Sequence, residues 1–191
     1  MIKNFLTGVS FALTLGFATQ ASAGFLVEPY LGYESSESKI GTTTSKLTGP
    51  TVGLRLGYKL PVMAWFAVDY SMITGGDAKP EQGSSSKLDS SNLYLDVGLD
   101  LPVLARIWAG YGVQRKYTTK PDSGNSIELT LESPIKVGVG FTFLPMISVN
   151  LEYFMSKAKE SKSGSTTTNL SSTDPRDNNG LIISVSAPFN L

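Results

Sequence analysis

The chain has 191 residues, with 16 Lys and Arg balanced by 16 Asp and Glu, and it contains neither His nor Cys. Zero formal charge and a charged fraction of 17% leave no basic footprint for nucleic acid. Without His or Cys there is no imidazole base near neutral pH, no thiol nucleophile, no thiolate metal site and no disulfide, so the composition points away from an enzyme and implies no cofactor or metal.

Residues 1–23 begin Met-Ile-Lys, continue through an apolar run from Phe5 to Phe17 and end Ala21-Ser22-Ala23. A single early Lys, a short apolar centre and an Ala-x-Ala ending predict a secretory signal peptide. The remainder, 24–191, is expected to be a single domain with 15 basic and 16 acidic residues, because only Lys3 leaves with the leader. No later stretch offers the roughly 18 consecutive apolar residues of a membrane helix, which leaves a soluble exported protein or a membrane barrel.

Period-two alternation then recurs along the chain. Phe25, Val27, Leu31 and Tyr33 alternate with Glu28, Tyr30, Gly32 and Glu34; Val52, Leu54, Leu56 and Tyr58 alternate with Gly53, Arg55, Gly57 and Lys59. Phe66, Val68, Tyr70 and Met72 follow, then Leu93, Leu95, Val97 and Leu99 opposite Tyr94, Asp96 and Gly98. Further on come Ile107 to Val113, Ile135 to Phe143, Ile147 to Met155 and Leu181 to Leu191, for eight predicted strands of about 9–11 residues, the length of a tilted bilayer crossing. Pro134 lies inside the sixth, where its missing N–H predicts a bulge. Three short connections, built around Pro61, Pro102 and Pro145, form a weak repeat. The others, 35–50, 75–91, 118–127 and 157–180, are rich in Ser, Thr, Gly and Lys and are expected to be long loops.

The same alternation suits a soluble barrel with its apolar face inward and a membrane barrel with that face outward. Two features favour the second. Gly32, Gly53, Gly57, Gly98, Gly110, Gly112, Gly138 and Gly140 share the charged face, where a narrow interior needs room for larger neighbours. Phe25, Tyr58, Phe66, Phe141, Phe143 and Phe189 gather on the apolar face near the short turns, and Tyr33 and Tyr117 near the long loops, like two interfacial girdles.

With its leader, its eight alternating strands, its short and long connections at opposite ends and its terminal Val185-Ser186-Ala187-Pro188-Phe189-Asn190-Leu191, the chain resembles the small outer-membrane β-barrels of Gram-negative bacteria, of the OmpA-barrel, OmpX and opacity-protein type. The resemblance implies an all-β fold, an eight-stranded antiparallel up-and-down transmembrane β-barrel, exported and integral to the cell outer membrane. It implies outer-membrane lipid and lipopolysaccharide as surroundings, the barrel-assembly machinery as a partner during insertion, and a monomer with no nucleic-acid partner. Outer-membrane enzymes of similar architecture depend on a catalytic His, which is missing here.

On the polar faces, Glu28, Arg55, Asp69, Asp96, Lys136 and Glu152 fall near mid-strand, with Lys59 and Arg106 closer to the short turns. Inside a closed barrel these charges are expected to pair, because isolated buried charges are costly. The network is either a structural filling of the lumen or an ion path with a gate. Tyr30, Trp65, Tyr94, Trp108 and Phe154 fall on the same face and either pack the lumen or line a pocket for a small apolar solute. The expected function is accordingly a non-enzymatic barrel presenting four longer extracellular loops for envelope integrity or surface interaction. The alternative is a narrow porin-like or OmpW-like conduit. The sequence codes no recognisable surface ligand.

Overall fold

A computed structural model describes residues 23–81, 84–121, 125–144, 146–172 and 175–191, the side chains of Phe143 and Leu144 excepted. Residues 1–22 of the expected leader lie outside these. The strands are β1 (Gly24–Ile40), β2 (Thr43–Lys59), β3 (Ala64–Pro80), β4 (Ser86–Leu101), β5 (Ala105–Lys120), β6 (Ile127–Leu144), β7 (Ile147–Ser163), the short β8 (Thr166–Asn169), β9 (Arg176–Ser186) and the two-residue β10 (Phe189–Asn190). β1 to β7 pair in succession and β9 pairs with both β7 and β1, so eight antiparallel strands close into an up-and-down barrel. β8 folds back on β7, and β10 continues the closure beyond Pro188. Backbone bonds join Phe25 N to Leu191 O at 3.0 Å and Leu191 N to Phe25 O at 2.9 Å, so the pairing reaches the last residue.

The register fixes the barrel's shape. Gly24 pairs with Lys59, then Trp65, Gly98, Trp108, Gly138, Glu152 and Ile182 follow, and the path re-enters β1 at Glu34, ten residues further along. That shear over eight strands tilts them by about 40°.

Strands β1 to β7 are 16–18 residues long, well beyond the 9–11 expected, and most of the segments predicted as long loops are strand. At that tilt such strands stand about 40 Å tall, whereas the apolar band of an outer-membrane barrel is about 25 Å. The excess lies at the end predicted to carry the loops. There, on β2 and β4, the alternation keeps its phase and exchanges its polarity. On β2, Leu54 and Leu56 face outward, yet Leu47 faces inward and Lys46 outward; on β4, Leu95 and Val97 face outward, yet Leu88 is fully buried beside exposed Lys87. Above the membrane the barrel has water outside and an apolar core inside, and Ser and Thr serve as ladder residues rather than loop residues.

At the other end the connections are tight, as predicted. Met63 and Leu104 take positive φ (64° and 59°) two residues after Pro61 and Pro102. Their carbonyls accept the Asp100 and Thr142 N–H groups at 2.8 Å, so these two members of the weak repeat are one repeated turn that docks on the neighbouring strand; Pro145, in the third, lies outside the described residues.

Irregular pairing marks β3, β5 and β6. Pro134 sits at the predicted bulge, where register shifts between Glu132 and Ile135 and Ser133 adopts a φ of 48°. On β5 the extra residue at Val113 leaves Val113 and Gln114 both exposed and reverses the inward phase beyond them. Tyr117, expected on the outer girdle, is therefore buried in the interior, 2% exposed. Tyr33, Tyr70, Tyr111 and Tyr153 hold outward positions on β1, β3, β5 and β7 instead. Near the short turns Phe25 meets Tyr58 edge-on at 5.6 Å, with Phe66 beyond.

The outward face between these aromatics is almost wholly aliphatic, including Leu31, Leu56, Val97, Val137, Leu151 and Ile183. Leu95→Arg places a charge on that face. It is expected to cost about 2–4 kcal/mol of stability in lipid vesicles, read as the shift of the urea unfolding midpoint; no shift would place the face in water.

Candidate functional site

The candidate site is the interior, which is layered along the barrel axis. Nearest the short turns, Trp65 and Trp108 lie 6.2 Å apart beside Leu26 and Ala67. Each tryptophan covers a glycine on the next strand: a Cβ at Gly98 would stand 2.3 Å from Trp65, and one at Gly138 2.1 Å from Trp108. The glycines are what let rings of this size fit within eight strands. Arg106 lies over both rings, at 4.8 and 5.7 Å, and faces Asp100, which pairs with Lys59 at the mouth.

The middle layer brings together all six charges singled out in the sequence, each at most 3% exposed. Arg55 is the hub. It faces Glu28 and Asp69 at 3.2 Å and Asp96 at 3.5 Å, and it bonds Glu152. Lys136 bonds Asp69 and stands 3.0 Å from Asp96 and 3.1 Å from Glu152. Arg106 reaches up to Glu28 at 2.8 Å. Neutral donors complete the layer: Tyr30 donates to Asp69 at 2.8 Å and Ser186 to Glu28 at 2.7 Å. The Arg55 guanidinium is also sandwiched between Tyr30 and Trp108, 4.9 and 4.7 Å from their ring centres.

A third layer escaped the sequence reading. Arg115, fully buried, donates to Glu34 at 2.7 Å and to Tyr94 at 3.1 Å, bonds Tyr117, and stacks on Phe154 at 3.7 Å. Tyr117 donates to Glu34 at 2.6 Å. A regular β5 would turn Arg115 outward. Its position just above the outward apolar series Ile107, Ala109, Tyr111 and Val113 was the available signal that the phase must break before it.

 The aromatic candidates Tyr30, Trp65, Tyr94, Trp108 and Phe154 are all buried, 1–4% exposed. They serve as faces for cations: Lys136 lies 4.7 Å from the Tyr94 ring, as the arginines do from theirs. A cavity of about 530 Å³ touches Trp65 and Trp108, but it is lined chiefly by the outward-facing Leu60, Phe66, Val97, Leu99 and Ile107 and is a furrow on the lipid side of the wall.

The outermost layer is apolar. Leu47, Ile73, Ala78, Leu88, Leu131, Ala158 and Leu170 form one cluster with the Tyr117 ring, closing the interior above the charges. Leu170 follows β8, and its N–H bonds Lys159 O at 2.8 Å, which holds it across the mouth.

Outside, the protruding strands carry ion pairs between neighbours: Lys87 with Asp77 at 3.3 Å, Lys116 with Glu128 at 3.2 Å, Lys120 with Asp89 at 2.5 Å, and Arg176 with Glu132. The Lys120 ammonium and the Gly75 N–H hold the Asp89 carboxyl below its ordinary range. Any stability from that exposed pair is present above the ordinary Asp value and fades as pH falls through the lowered one. Among the described residues Lys39, Lys46, Lys79, Lys157, Lys159 and Lys162 join no ion pair, and they crowd the sector from β7 through β9 to β3.

A family model described as outer membrane protein beta-barrel domain matches residues 9–189. No curated protein matches the chain in sequence. Among solved structures, Neisserial surface protein A is similar at 15% identity, with a TM-score of 0.55 over 88% of this chain and 99% of that one. Ail, the attachment invasion locus protein of Yersinia pestis, is similar at 13% identity and a TM-score of 0.55, covering 87% and 99%. OprG of Pseudomonas aeruginosa is similar at 11% identity and 0.53, covering 91% and 99%. At these identities the likeness is one of fold. With the family matched along nearly the whole barrel, the chain belongs to the outer membrane protein beta-barrel family and is an integral protein of the outer membrane.

Proposed function

We propose that the protein is a non-enzymatic, sealed barrel that holds a rigid β-structured extension above the outer membrane for envelope integrity or surface interaction. The observation that carries this reading is the apolar cluster around Leu88 and Leu170, stacked on the Arg115 and Arg55 layers, because ions cross neither a dry apolar section nor a packed salt-bridge layer. The extension presents four hairpin tips, and its unpaired lysines stand at the height where lipopolysaccharide carries phosphate groups. Insertion would use the assembly machinery acting on the terminal strand, and the barrel would work as a monomer. No cofactor enters this reading.

Planar-bilayer recording tests it. The purified barrel is expected to show no reproducible single-channel openings. Steady openings that change on replacing Arg55 or Asp69 would replace this reading with that of a conduit.

A further inference from the structure

The middle layer does not balance in charge. Glu28, Asp69, Asp96 and Glu152 face Arg55, Arg106 and Lys136, four carboxylates against three cations. Widening the boundary leaves the same surplus, because Lys59 with Asp100 and Arg115 with Glu34 each add one of either sign. The layer is enclosed, with every one of these seven side chains at most 5% exposed, so solvent does not dissipate the extra charge.

Asp96 is the member least provided for. Both its oxygens are buried and accept no hydrogen bond, although Lys136 and Arg55 stand 3.0 and 3.5 Å from Oδ2; Oε2 of Glu152, 3.1 Å from Lys136, accepts none either. Around Asp96 stand Arg55 from β2, Asp69 from β3, Lys136 from β6 and Glu152 from β7, while β5 offers only Gly110, where a Cβ would lie 2.2 Å from Asp96 Oδ1. From β1, Glu28 and Tyr30 are engaged with Arg55 and Asp69. On β4 itself, Tyr94 faces Lys136 and Asp100 faces Lys59. Asp69, Asp96 and Glu152 all converge on the single Lys136 ammonium.

We infer that the lumen is a binding site for one proton, carried by Asp96 and donated toward a neighbouring carboxylate. The proton converts an oxygen that accepts no hydrogen bond into a donor, and it reduces the layer to three carboxylates and three cations. A metal cation is poorly suited to the same place, with Lys136 and Arg55 already within 3.5 Å of Asp96.

Infrared spectroscopy of the intact barrel in lipid at neutral pH tests the inference, reading the carbonyl stretch of a protonated carboxylic acid. One such band is expected, lost in Asp96→Asn and kept in the exposed control Asp89→Asn. Glu152→Gln is expected to lose the band as well, because three carboxylates then face three cations, so the test stands even if Asp96→Asn does not fold. Absence of the band in the unsubstituted protein overturns the inference, and stability that then depends on sodium would assign the charge to a bound cation. Persistence of the band in either variant also overturns it.

Discussion

Arg55→Met is expected to destabilise the barrel by about 3–5 kcal/mol, the largest effect of any single substitution considered for the lumen. Methionine fills much of the space but leaves Glu28, Asp69, Asp96 and Glu152 with only Arg106 and Lys136 to face. Breaking a buried ion pair from one side costs more than deleting it from both, because the orphaned charge stays out of water. Arg55→Lys should also lose stability, since one ammonium does not reproduce a guanidinium that reaches four carboxylates and stacks between Tyr30 and Trp108. Urea unfolding in lipid vesicles, followed by heat-modifiable migration, measures the loss. Adding Glu152→Gln to Arg55→Met is expected to restore part of it, a coupling that distant residues would not show. Equal stability of Arg55→Met and the unsubstituted protein would mean that the layer is hydrated and open.

Leu88→Ala is expected to cost about 2–5 kcal/mol, as for a buried leucine whose cavity does not collapse. Leu88 has no exposed surface and lies among Leu47, Ile73, Leu131 and Leu170 inside the part of the barrel that stands clear of the membrane. That location separates it from the lipid-facing leucines, which lose little on truncation because lipid fills the gap. Hydrogen exchange should show the loss as faster exchange in the outer halves of β2, β3, β4 and β6, with the membrane-embedded amides unchanged. If Leu88→Ala is neutral, the outer section is a wet mouth rather than a core, and the sealed reading loses its support.

The eight crossings and their inward and outward faces were legible in the sequence because strand periodicity is local: Leu54 and Leu56 alternate with Arg55 whatever the rest of the chain does. So were the short turns and the bulge at Pro134, each set by a residue with a fixed backbone preference. The six mid-strand charges were legible as a set, since parity alone put them on one face and a closed barrel has one interior. The upper third was not. Segments such as 35–50 look like loops by composition, yet they are ladder, because an antiparallel partner supplies the hydrogen bonds that Ser and Thr need.

Parity also failed where one residue was added. The extra residue at Val113 moves Tyr117 from the expected girdle to the interior and brings Arg115 onto Glu34, and no local pattern announces which residue a bulge will take. What the sequence determined by itself was therefore the number of strands, their alternation and the neutral, His-free and Cys-free chemistry. Tertiary structure alone decided the ten-residue shear, the partners of each charge and the apolar cluster above them. Those depend on which strands meet at what height, a long-range relation that period-two alternation does not encode.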